Sequence, residues 1–516
     1  MPGTNFTEQR DVAVASSSTA ATDAATRVIL DGGNAVDAAI AAAFVSVNTE
    51  PGVCALAGGA YITVWEASDT PLCIDGYARV PGLGATRAPS GSGETVRMEY
   101  GGGVTTVVGA ASVAVPGTPA ALAELHRRYG DLPWATCLQP AVDLCRVGFP
   151  LPSACHHYLE YSGKSIFGRN DIGFRALHPD GRRLANAGDK IVLPGLADSL
   201  DLIAREGVGA FYDGAIADAL VSHIRQGGGA MTRQDLATFK PEVRAALQRE
   251  VNGWTLALPP PPSIGGSMLA ALLDLTAAGE DPVDAMHRCL AYRRRNIDFA
   301  DDLPAATRGL LDAAQHQQLP HYRSANTVHT SAADSSGLAC AITASAGYGC
   351  GEIPEGTGLW LNNCLGEIEL NRRGLDAGPP GSVLPTNMAP AVTRRADEVL
   401  AIGSPGADRI TSAMLQTLVP FLSGESSIAE AIAAPRWHVE MALDTDISNS
   451  QYPSILHAEP GAQYTAPSHS ETRRHNNSNM YFGGVGAAGV LGASLELIAE
   501  ADPRRVGGVT VERGRH

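Results

Sequence analysis

Residues 324–334 read SANTVHTSAAD, and the rest of the chain is best understood from this stretch. It begins as a polar, loop-like run and passes at Thr327 into the alternating pattern typical of a β-strand. Residues 334–337, DSSG, have the residue types of a tight reversal, and residues 338–345, LACAITAS, return as a second strand. The stretch therefore predicts a β-hairpin with Thr327 at its leading edge. On its own this threonine is ordinary, because threonine is a favoured strand residue.

The composition is that of a folded globular protein. The 516 residues are 44% hydrophobic and 18% charged, which fits two or three average domains or one large α/β unit. The formal net charge is -16, from 38 basic against 54 acidic residues, and no long basic run is present. Nucleic acids and anionic membranes are therefore not expected as partners.

Cysteine usage and the N-terminal sequence predict a cytoplasmic protein. The nine cysteines form no CxxC pair and are odd in number, so we expect reduced, mostly buried thiols rather than a disulfide framework. The first ten residues, MPGTNFTEQR, lack the basic start and apolar core of a secretory signal. No apolar run reaches the length that spans a membrane.

The flanking segments predict alternating helices and strands. Residues 19–47 predict two apolar helices separated near Asn34, and the second should be buried against a sheet. We interpret the four prolines at 259–262 as a rigid loop inside one domain rather than a linker between two. Residues 300–326 are polar and poorly patterned, which predicts an exposed segment. Residues 359–361, LWL, predict a short strand.

A second functional candidate follows the predicted buried strand at 399–403, VLAIG. Residues 404–407, SPGA, lead from this strand into a helix expected to begin near Asp408. The start of a helix carries free backbone N–H groups, which suit a negative charge that develops during a reaction. The turn is therefore a candidate oxyanion site.

Thr327 could acquire a base from its own backbone. A hydroxyl nucleophile needs a base, yet the sequence has no GxSxG motif and its fourteen histidines show no pattern of a catalytic triad. His329 shares a strand face with Thr327, but we interpret it as structural, because so short a segment seldom supplies a base. If the bond before Thr327 were cut, the new α-amino group, with an ordinary pKa of about 7.7 to 8, would lie on the nucleophile's own residue.

These residues resemble a known family. Residues 326–329, NTVH, followed by Ser331, Asp334 and Gly337, resemble the processing site of the γ-glutamyltransferase (γ-glutamyltranspeptidase) family of N-terminal nucleophile hydrolases. Further stretches resemble family motifs, in family order, over nearly the whole chain: 32–39 (GGNAVDAA), 115–118 (VPGT), 129–134 (YGDLPW), 260–266 (PPPSIGG), 361–363 (LNN), 403–406 (GSPG) and 502–504 (DPR). The chain is identified as a diverged member.

The resemblance implies an α/β fold, a four-layer αββα sandwich made as one self-processing proenzyme, or zymogen. Cleavage between Asn326 and Thr327 would give a large subunit, residues 1–326, and a small subunit, residues 327–516, intertwined in one globular unit. Thr327 would attack an amide carbonyl with its amino group as the base, and the acyl-enzyme would pass to water or an amine. Carried over by position, Gly406 and Ala407 supply the oxyanion-hole N–H groups and Ser345 assists the nucleophile. No metal or organic cofactor is implied.

The substrate pocket departs from the family pattern. An asparagine position of the family is occupied by Gly347, the paired serines by Thr386 and Asn387, and the first member of an acidic pair by Gly366. The second member, Glu367, could still pair with a substrate ammonium.

Two further pocket residues are assigned by position. Asn363 belongs to the matching Asn-Asn motif. Arg79 is the best match for the arginine that binds the α-carboxylate, and Arg87 is a weaker one.

The sequence is compatible with three functions. The first is cleavage of a γ-glutamyl-type amide in a small molecule of amino-acid character. The second is a redirected role in natural-product or antibiotic biosynthesis, such as hydrolytic C–C cleavage in a 4-alkylproline pathway, since an altered pocket loses selectivity. The third is an uncleaved, non-catalytic binding protein, against which Thr327, Ser345 and Gly406 argue. The partners implied are the two subunits of one precursor, and a homo-oligomer of such heterodimers is one possible assembly.

Overall fold

The computed structural model describes residues 10–85, 90–100, 103–316, 327–441, 454–465, 470–505 and 507–513. The strands are β1 Val12–Ser16, β2 Gly59–Trp65, β3 Leu72–Gly76, β4 Glu94–Met98, β5 Val104–Val108, β6 Phe149–Pro150, β7 Lys190–Ile191, β8 Glu242–Ala245, β9 Leu247–Val251, β10 Trp254–Leu258, β11 Val328–Asp334, β12 Ala339–Ser345, β13 Ala391–Arg395, β14 Glu398–Gly403, β15 Trp437–Met441, β16 Ser454–Ala458, β17 Ser470–Arg474, β18 Gly486–Leu491, β19 Glu496–Ala501 and β20 Gly508–Glu512. The α-helices are α1 Thr19–Leu30, α2 Ala35–Thr49, α3 Thr118–Tyr129, α4 Trp134–Val147, α5 Ser153–Ser162, α6 Asp171–Leu177, α7 Leu196–Glu206, α8 Gly209–Asp213, α9 Ala215–Gln226, α10 Arg233–Thr238, α11 Ile264–Ala277, α12 Pro282–Asn296, α13 Leu303–Gln315, α14 Arg409–Leu422 and α15 Ile428–Ala433.

The predicted hairpin is confirmed and lies in the middle of a large antiparallel sheet. Within the described residues this sheet has seven strands in the order β20-β1-β11-β12-β2-β3-β8. Strands β11 and β12 pair from Val328 opposite Ala344 onward. At the turn, the Asp334 N–H donates to the Leu338 carbonyl at 3.0 Å and the Gly337 N–H to the Asp334 carbonyl at 2.9 Å. Gly337 takes the left-handed φ of 82° that this reversal needs.

Helix α2 covers one face of this sheet, as its apolar sequence predicts. Asn34 caps the helix by accepting hydrogen bonds from the Val36 and Asp37 N–H groups, so the predicted break between α1 and α2 is confirmed. Every residue of α2 is buried. The Ala35 N–H also donates to Asp334 Oδ2 at 3.2 Å, which ties the start of the helix to the hairpin turn.

The other face of the seven-stranded sheet meets a second antiparallel sheet. In the described residues the second sheet has six strands in the order β19-β18-β14-β13-β10-β9. The contact is made by small and branched apolar side chains, which allow close packing: Ala333, Ala339 and Ala341 from the first sheet, and Val392, Val399 and Ala401 from the second. Helices α11 and α14 share a separate apolar core with β10 and β14. The predicted α/β class is confirmed.

Residues 259–262 form a loop inside one packed unit, as predicted. The strand before them, β10, and the helix after them, α11, contribute to the same apolar core. All nine cysteines are buried, which agrees with the prediction of buried thiols. Among the described residues, no helix is both long enough and apolar enough to cross a membrane.

Two segments depart from their predictions. Residues 303–315 are exposed on one side but form the helix α13, capped by Asp302 and buried at Thr307, Leu310 and Ala314, because an apolar stripe at helical spacing lies within the polar sequence. The remainder of that segment, 317–326, lies outside the described residues.

Residues 359–361 do not form a strand. Leu361 makes an isolated bridge to Ala57. Its N–H donates to the Glu352 carbonyl and its carbonyl accepts from the Cys350 N–H, both at 3.1 Å. The Asn362 side chain takes the place of a strand ladder, because its Nδ2 donates to the carbonyls of Ala57 at 2.8 Å and Ala114 at 2.9 Å.

Candidate active site

Thr327 lies directly before β11 and is only 1% exposed. The pairing of Val328 with Ala344, continued by one residue, sets Thr327 beside Ser345, the last residue of β12. Ser345 is buried and accepts a hydrogen bond from the Gly347 N–H at 3.2 Å. Two hydroxyl side chains therefore stand at the same end of the hairpin.

His329 occupies the same sheet face, and its imidazole is uncharged at neutral pH. Burial lowers the pKa of His329 to about 3. Its Nδ1 lies 2.8 Å from the Thr343 hydroxyl and its Nε2 lies 2.7 Å from the Ser331 hydroxyl. A Cβ placed on Gly403 would come within 2.2 Å of the imidazole, so the end of β14 packs directly on this ring. These contacts favour the structural interpretation of His329.

The turn after β14 has the backbone geometry of an anion site. Gly406 has φ 126° and Ala407 has φ 71°, a left-handed conformation that an alanine seldom adopts and that is often found at functional sites. Among the described residues, neither N–H donates to a protein acceptor. A Cβ on Gly406 would lie 2.7 Å from Gly483 Cα. Helix α14 then begins at Arg409, as predicted, and Asp408 gives it no side-chain cap.

A buried side-chain network fixes this turn, and no pattern in the sequence marks its residues. Asp408 Oδ2 lies 3.3 Å from His438 Nε2, and His438 Nδ1 lies 3.0 Å from the Ser412 hydroxyl. Burial lowers the pKa of His438 to about 4, although Asp408 opposes the shift. Arg409 donates to Asp408 Oδ1 at 2.5 Å and to the Tyr481 carbonyl at 2.9 Å. The start of α14 is therefore held from both sides.

Two glycines in the predicted pocket occupy positions where a side chain would clash. A Cβ on Gly347 would lie 2.4 Å from Asn363 Oδ1 and 3.1 Å from Glu367 Oε2. A Cβ on Gly366 would lie 2.0 Å from the Val107 carbonyl oxygen. The packing of this loop therefore requires glycine at 347 and 366, two positions where the sequence departs from the family pattern.

Asn363 and Glu367 are neighbours that differ in how many hydrogen bonds their side chains make. The Tyr348 N–H donates to Asn363 Oδ1 at 2.7 Å, and Asn363 Nδ2 donates to Thr106 Oγ1 at 2.8 Å and the Val107 carbonyl at 3.1 Å. The Asn363 amide therefore holds the loop.

Glu367 is 1% exposed, and neither carboxylate oxygen has a hydrogen-bond partner among the described residues. Burial raises the pKa of Glu367 well above its usual range. The carboxyl group of Glu367 therefore has unused hydrogen-bonding capacity.

Thr386 and Asn387 lie where a charged side chain from α12 reaches the site. Asn387 Oδ1 accepts a hydrogen bond from Arg293 NH1 at 2.7 Å. Arg293 is fully buried and also donates to Asp298 Oδ1 at 2.8 Å. Its charge partly opposes the burial that raises the pKa of Glu367. Residues 290–296, LAYRRRN, look like an ordinary basic helix end, and nothing in the sequence marks Arg293 as buried.

The structure does not bring Arg79 into this group. Its NH1 donates to the Tyr77 carbonyl at 2.8 Å and to Asp75 at 3.3 Å, and its NH2 lies 3.5 Å from Glu242. The guanidinium also stacks over Phe239 at 5.8 Å. Substrate binding by Arg79 stays a prediction.

Two other residues named from the sequence cannot be placed. Arg87, the weaker match for the carboxylate-binding arginine, and Asn326, before the predicted cleavage point, lie outside the described residues.

One group of side chains has the spacing of a metal site but is already bonded within the chain. Ligand atoms of Asp37, His126 and Cys137 lie within 4.8 Å of one another. Asp37 Oδ2 accepts the N–H groups of Asp131 at 3.1 Å and Leu132 at 3.2 Å. His126 Nε2 lies 2.8 Å from the Leu132 carbonyl, so this nitrogen acts as a donor. These contacts join α2 to the α3–α4 connection.

Comparison with known proteins decides the family. The gamma-glutamyltranspeptidase family model matches residues 21–512. The chain belongs to the γ-glutamyltranspeptidase family. The predicted resemblance is therefore confirmed, and the protein is an enzyme of the N-terminal nucleophile hydrolase type.

Individual γ-glutamyltranspeptidase relatives are distant but match over most of their length. The chain is 30% identical over 454 residues to the acylase ACY 1 proenzyme of Pseudomonas sp. strain SE83, covering 81% of this chain and 80% of that protein. It is 28% identical over 532 residues to the glutathione hydrolase proenzyme of Pseudomonas aeruginosa, covering 94% and 92%. The crystal structure of cephalosporin acylase from Bacillus halodurans superposes with a TM-score of 0.78 at 22% identity, covering 100% of this chain and 98% of that one. That last match shows a shared fold.

Proposed function

We propose that this enzyme is a self-processing threonine hydrolase or acyltransferase that cleaves a γ-glutamyl-type amide through an acyl-enzyme on Thr327. The observation that carries the proposal is the position of Thr327, buried at the head of β11 and beside Ser345. The turn at Gly406 and Ala407 follows β14, whose last residue packs against His329 on the same hairpin. The proposed site thus combines a nucleophile and a second hydroxyl from the first sheet with an anion site from the second.

The proposed cleavage between Asn326 and Thr327 divides the chain into subunits that cannot separate easily. Strands β11 and β12 would belong to the small subunit, yet they lie between β1 and β2 of the large subunit. In the second sheet β13 pairs with β10, which again would join small and large subunits. These pairings support one intertwined heterodimer. They also support the four-layer αββα order, with α2 outside the first sheet and α11 and α14 outside the second.

The proposed reaction needs only groups of the chain itself and a water or amine acceptor. The free amino group of Thr327 takes the proton of its own hydroxyl as the oxygen bonds to the amide carbonyl carbon. The N–H groups of Gly406 and Ala407 donate to the resulting oxyanion. The C–N bond then breaks, the amine leaves with the proton, and the ester on Thr327 is opened by water or an amine. The Ser345 hydroxyl is oriented by the Gly347 N–H and can donate to the attacking oxygen.

The pocket assignments of the proposal follow from burial and charge. Glu367 offers a buried carboxyl for a substrate ammonium. Thr386 and Asn387 stay predicted substrate ligands, and the Asn363 amide supports the loop through its bond to Thr106. Arg79 stays a predicted carboxylate ligand.

The experiment is release of the aromatic amine from a γ-glutamyl anilide by the purified enzyme. Amine release with turnover is expected, preceded by a burst when the acyl-enzyme is hydrolysed more slowly than it forms. A fully processed protein that releases no amine would contradict the γ-glutamyl assignment.

A second function is favoured by a specific observation, the glycines that replace family residues in the predicted substrate pocket. The packing that requires glycine at 347 and 366 removes side chains from the substrate-facing loop, and a site that loses polar partners loses selectivity for the original substrate. A redirected role in natural-product biosynthesis, including hydrolytic C–C cleavage, is the candidate that inactivity of the processed enzyme on the anilide would support. A purified chain that is never cleaved between Asn326 and Thr327 would instead support a non-catalytic binding protein.

A further inference from the structure

A cavity of about 460 Å³ lies between α5 and the segment that follows β17. Its volume is within the range of small-molecule sites, about 300–1,000 Å³. Aromatic side chains line this cavity from two distant parts of the chain: Tyr100 and Tyr161 from one, and His457, His475 and Tyr481 from the other. None of these residues has a role in the proposed reaction. We call this space the aromatic cavity.

The first wall of the aromatic cavity consists of tyrosine rings. The centroids of Tyr100 and Tyr161 lie 5.7 Å apart, and Tyr100 packs edge-on against Tyr158 at 5.1 Å. Tyr100 is 7% exposed, whereas Tyr161, on α5, is 39% exposed. Because Tyr161 lines the cavity and is not covered by the core, part of its ring is accessible to a ligand.

The second wall consists of three rings that polar contacts hold in place. The Tyr481 hydroxyl donates to Glu440 Oε2 at 2.9 Å, and His457 Nε2 lies 2.9 Å from the same oxygen. His457 Nδ1 lies 3.0 Å from His475 Nε2, and the His475 ring stacks on Tyr481 at 5.2 Å. Burial and the neighbouring His457 lower the pKa of His475, so this ring is uncharged at neutral pH. The wall is therefore preorganised for a flat, uncharged surface of a ligand.

Arg473 supplies the charge of the aromatic cavity. Its exposed side chain lines the cavity, and none of the described residues in the lining is acidic. The Glu440 carboxylate is not part of the lining and is already bonded to Tyr481. A guanidinium presents parallel N–H donors that match a carboxylate. The cavity is therefore complementary to an aromatic ring that carries an acidic group.

We propose that the aromatic cavity binds a planar aromatic carboxylate, with its ring against the tyrosine and histidine rings and its acid group on Arg473. This site shares no residue with the predicted γ-glutamyl pocket. The inference therefore goes beyond the proposed function and does not depend on it.

The aromatic cavity is connected to the candidate oxyanion turn through Tyr481. The Tyr481 carbonyl accepts a hydrogen bond from Arg409 Nε at 2.9 Å, and the Arg409 guanidinium lies 4.6 Å from the Tyr481 ring centroid. Arg409 is the first residue of α14, directly after that turn. Two sources of the aromatic acid fit this placement: the leaving group of the substrate, or a separate molecule.

The test compares three probes that differ in one feature each: benzoate, benzamide without the charge, and cyclohexanecarboxylate without the planar ring. Calorimetric titration of the protein as purified gives their affinities, with no turnover required. Benzoate should bind at least about 10-fold more tightly than benzamide, the value of one charge-assisted hydrogen bond. It should bind about 2- to 10-fold more tightly than cyclohexanecarboxylate, the value of aromatic stacking beyond burial.

Two variants separate the contributions of charge and ring. Arg473→Gln should lose the preference for benzoate over benzamide and keep that over cyclohexanecarboxylate. Tyr161→Ala should diminish the second preference and keep the first. Both residues are exposed, so neither substitution removes a buried side chain of the core.

Each variant has a matched control outside the aromatic cavity. Arg474→Gln replaces the exposed neighbour of Arg473, which does not line the cavity. Phe174→Ala removes an aromatic side chain that is 37% exposed and stacks on His178 at 4.2 Å. Both controls should leave all three affinities unchanged.

Turnover distinguishes the two sources of the aromatic acid. The measurement is kcat/KM for γ-glutamyl 3-carboxyanilide divided by that for the unsubstituted anilide. Arg473→Gln should lower this ratio about 10-fold if the acid belongs to the leaving group. An unchanged ratio, together with weakened benzoate binding, assigns the cavity to a separate molecule.

Several results would overturn the inference. They are a wild type that binds none of the three probes or binds them equally, an Arg473→Gln variant that keeps the preference for benzoate over benzamide, and an Arg474→Gln variant that loses it to the same extent. Failure of the proposed function is recognised separately, because it appears in chain cleavage and amine release rather than in these affinities.

Discussion

The proposed reaction centre and the proposed substrate pocket of this enzyme differ in how they are built. Thr327, Ser345 and the turn at Gly406 and Ala407 are placed by backbone geometry, namely a hairpin register and a strand-to-helix turn. The pocket is placed by side chains that reach in from distant elements, such as Glu367 and Arg293. A family can therefore retain its reaction centre while the pocket changes, because the two depend on different parts of the sequence.

The largest effect is expected from the reaction centre. Thr327→Ala should abolish chain cleavage and lower turnover by about 10⁴-fold or more, because no other group can form the acyl-enzyme. Cleavage is read on a denaturing gel, and turnover as amine release. Thr327→Ser, which keeps a hydroxyl, should retain part of both. Undiminished turnover by Thr327→Ala would remove Thr327 from the reaction.

A smaller loss is expected from the oxyanion turn. Gly406→Ala would put a Cβ 2.7 Å from Gly483 Cα and displace the N–H groups, so kcat should fall about 10²- to 10³-fold. Ala407→Gly keeps both N–H groups and removes the strain of a left-handed alanine, so its loss should be far smaller. Steady-state kinetics of the two variants distinguish an electrostatic role from a purely structural one. Equal losses would contradict the oxyanion assignment.

A change in the pocket should alter selectivity and leave chain cleavage intact. Glu367→Gln removes the charge that faces a substrate ammonium, so kcat/KM for γ-glutamyl anilide should fall about 10- to 100-fold, while that for glutaryl anilide, which has no amino group, should not fall. The ratio of the two constants is the measurement. Equal losses on both anilides would assign Glu367 a general structural role and would weaken the contrast between the two regions.

The smallest effect concerns the contribution of His329 to the free energy of unfolding. His329 has a pKa of about 3 when folded and an ordinary value of about 6.5 when unfolded, so the unfolded state binds the proton more readily. Its contribution is fully present above pH 6.5 and is lost as the pH falls toward 3. Between pH 7 and 5 the wild-type free energy of unfolding should fall about 2 kcal/mol more than that of His329→Gln. Urea titrations in the uncleaved Thr327→Ala background provide both values, and equal slopes would refute this assignment.

The elements that the sequence predicts well are those with local determinants. Alternation and a DSSG turn mark the hairpin, Asn34 marks the start of α2, and the SPGA turn marks the start of α14. Each depends on residues that are neighbours in the chain, so pattern and capping chemistry were sufficient.

The elements that were missed have their determinants far away in sequence. The stripe of α13 is covered by α11, and the LWL segment lacks a ladder because Asn362 bonds to Ala57 instead. The burial of Arg293 depends on Asp298 and Asn387 meeting it in space. No local pattern distinguishes such a residue from the exposed arginines beside it.

In the proposed mechanism Thr327 becomes an N-terminus by cleavage of the chain, which the intact mass and N-terminal sequence of the purified protein test directly. Two chains are expected from the 53.5 kDa precursor, the smaller beginning with Thr327 and continuing Val-His-Thr. A single uncleaved chain after long incubation, or a small chain that begins at any other residue, would contradict it.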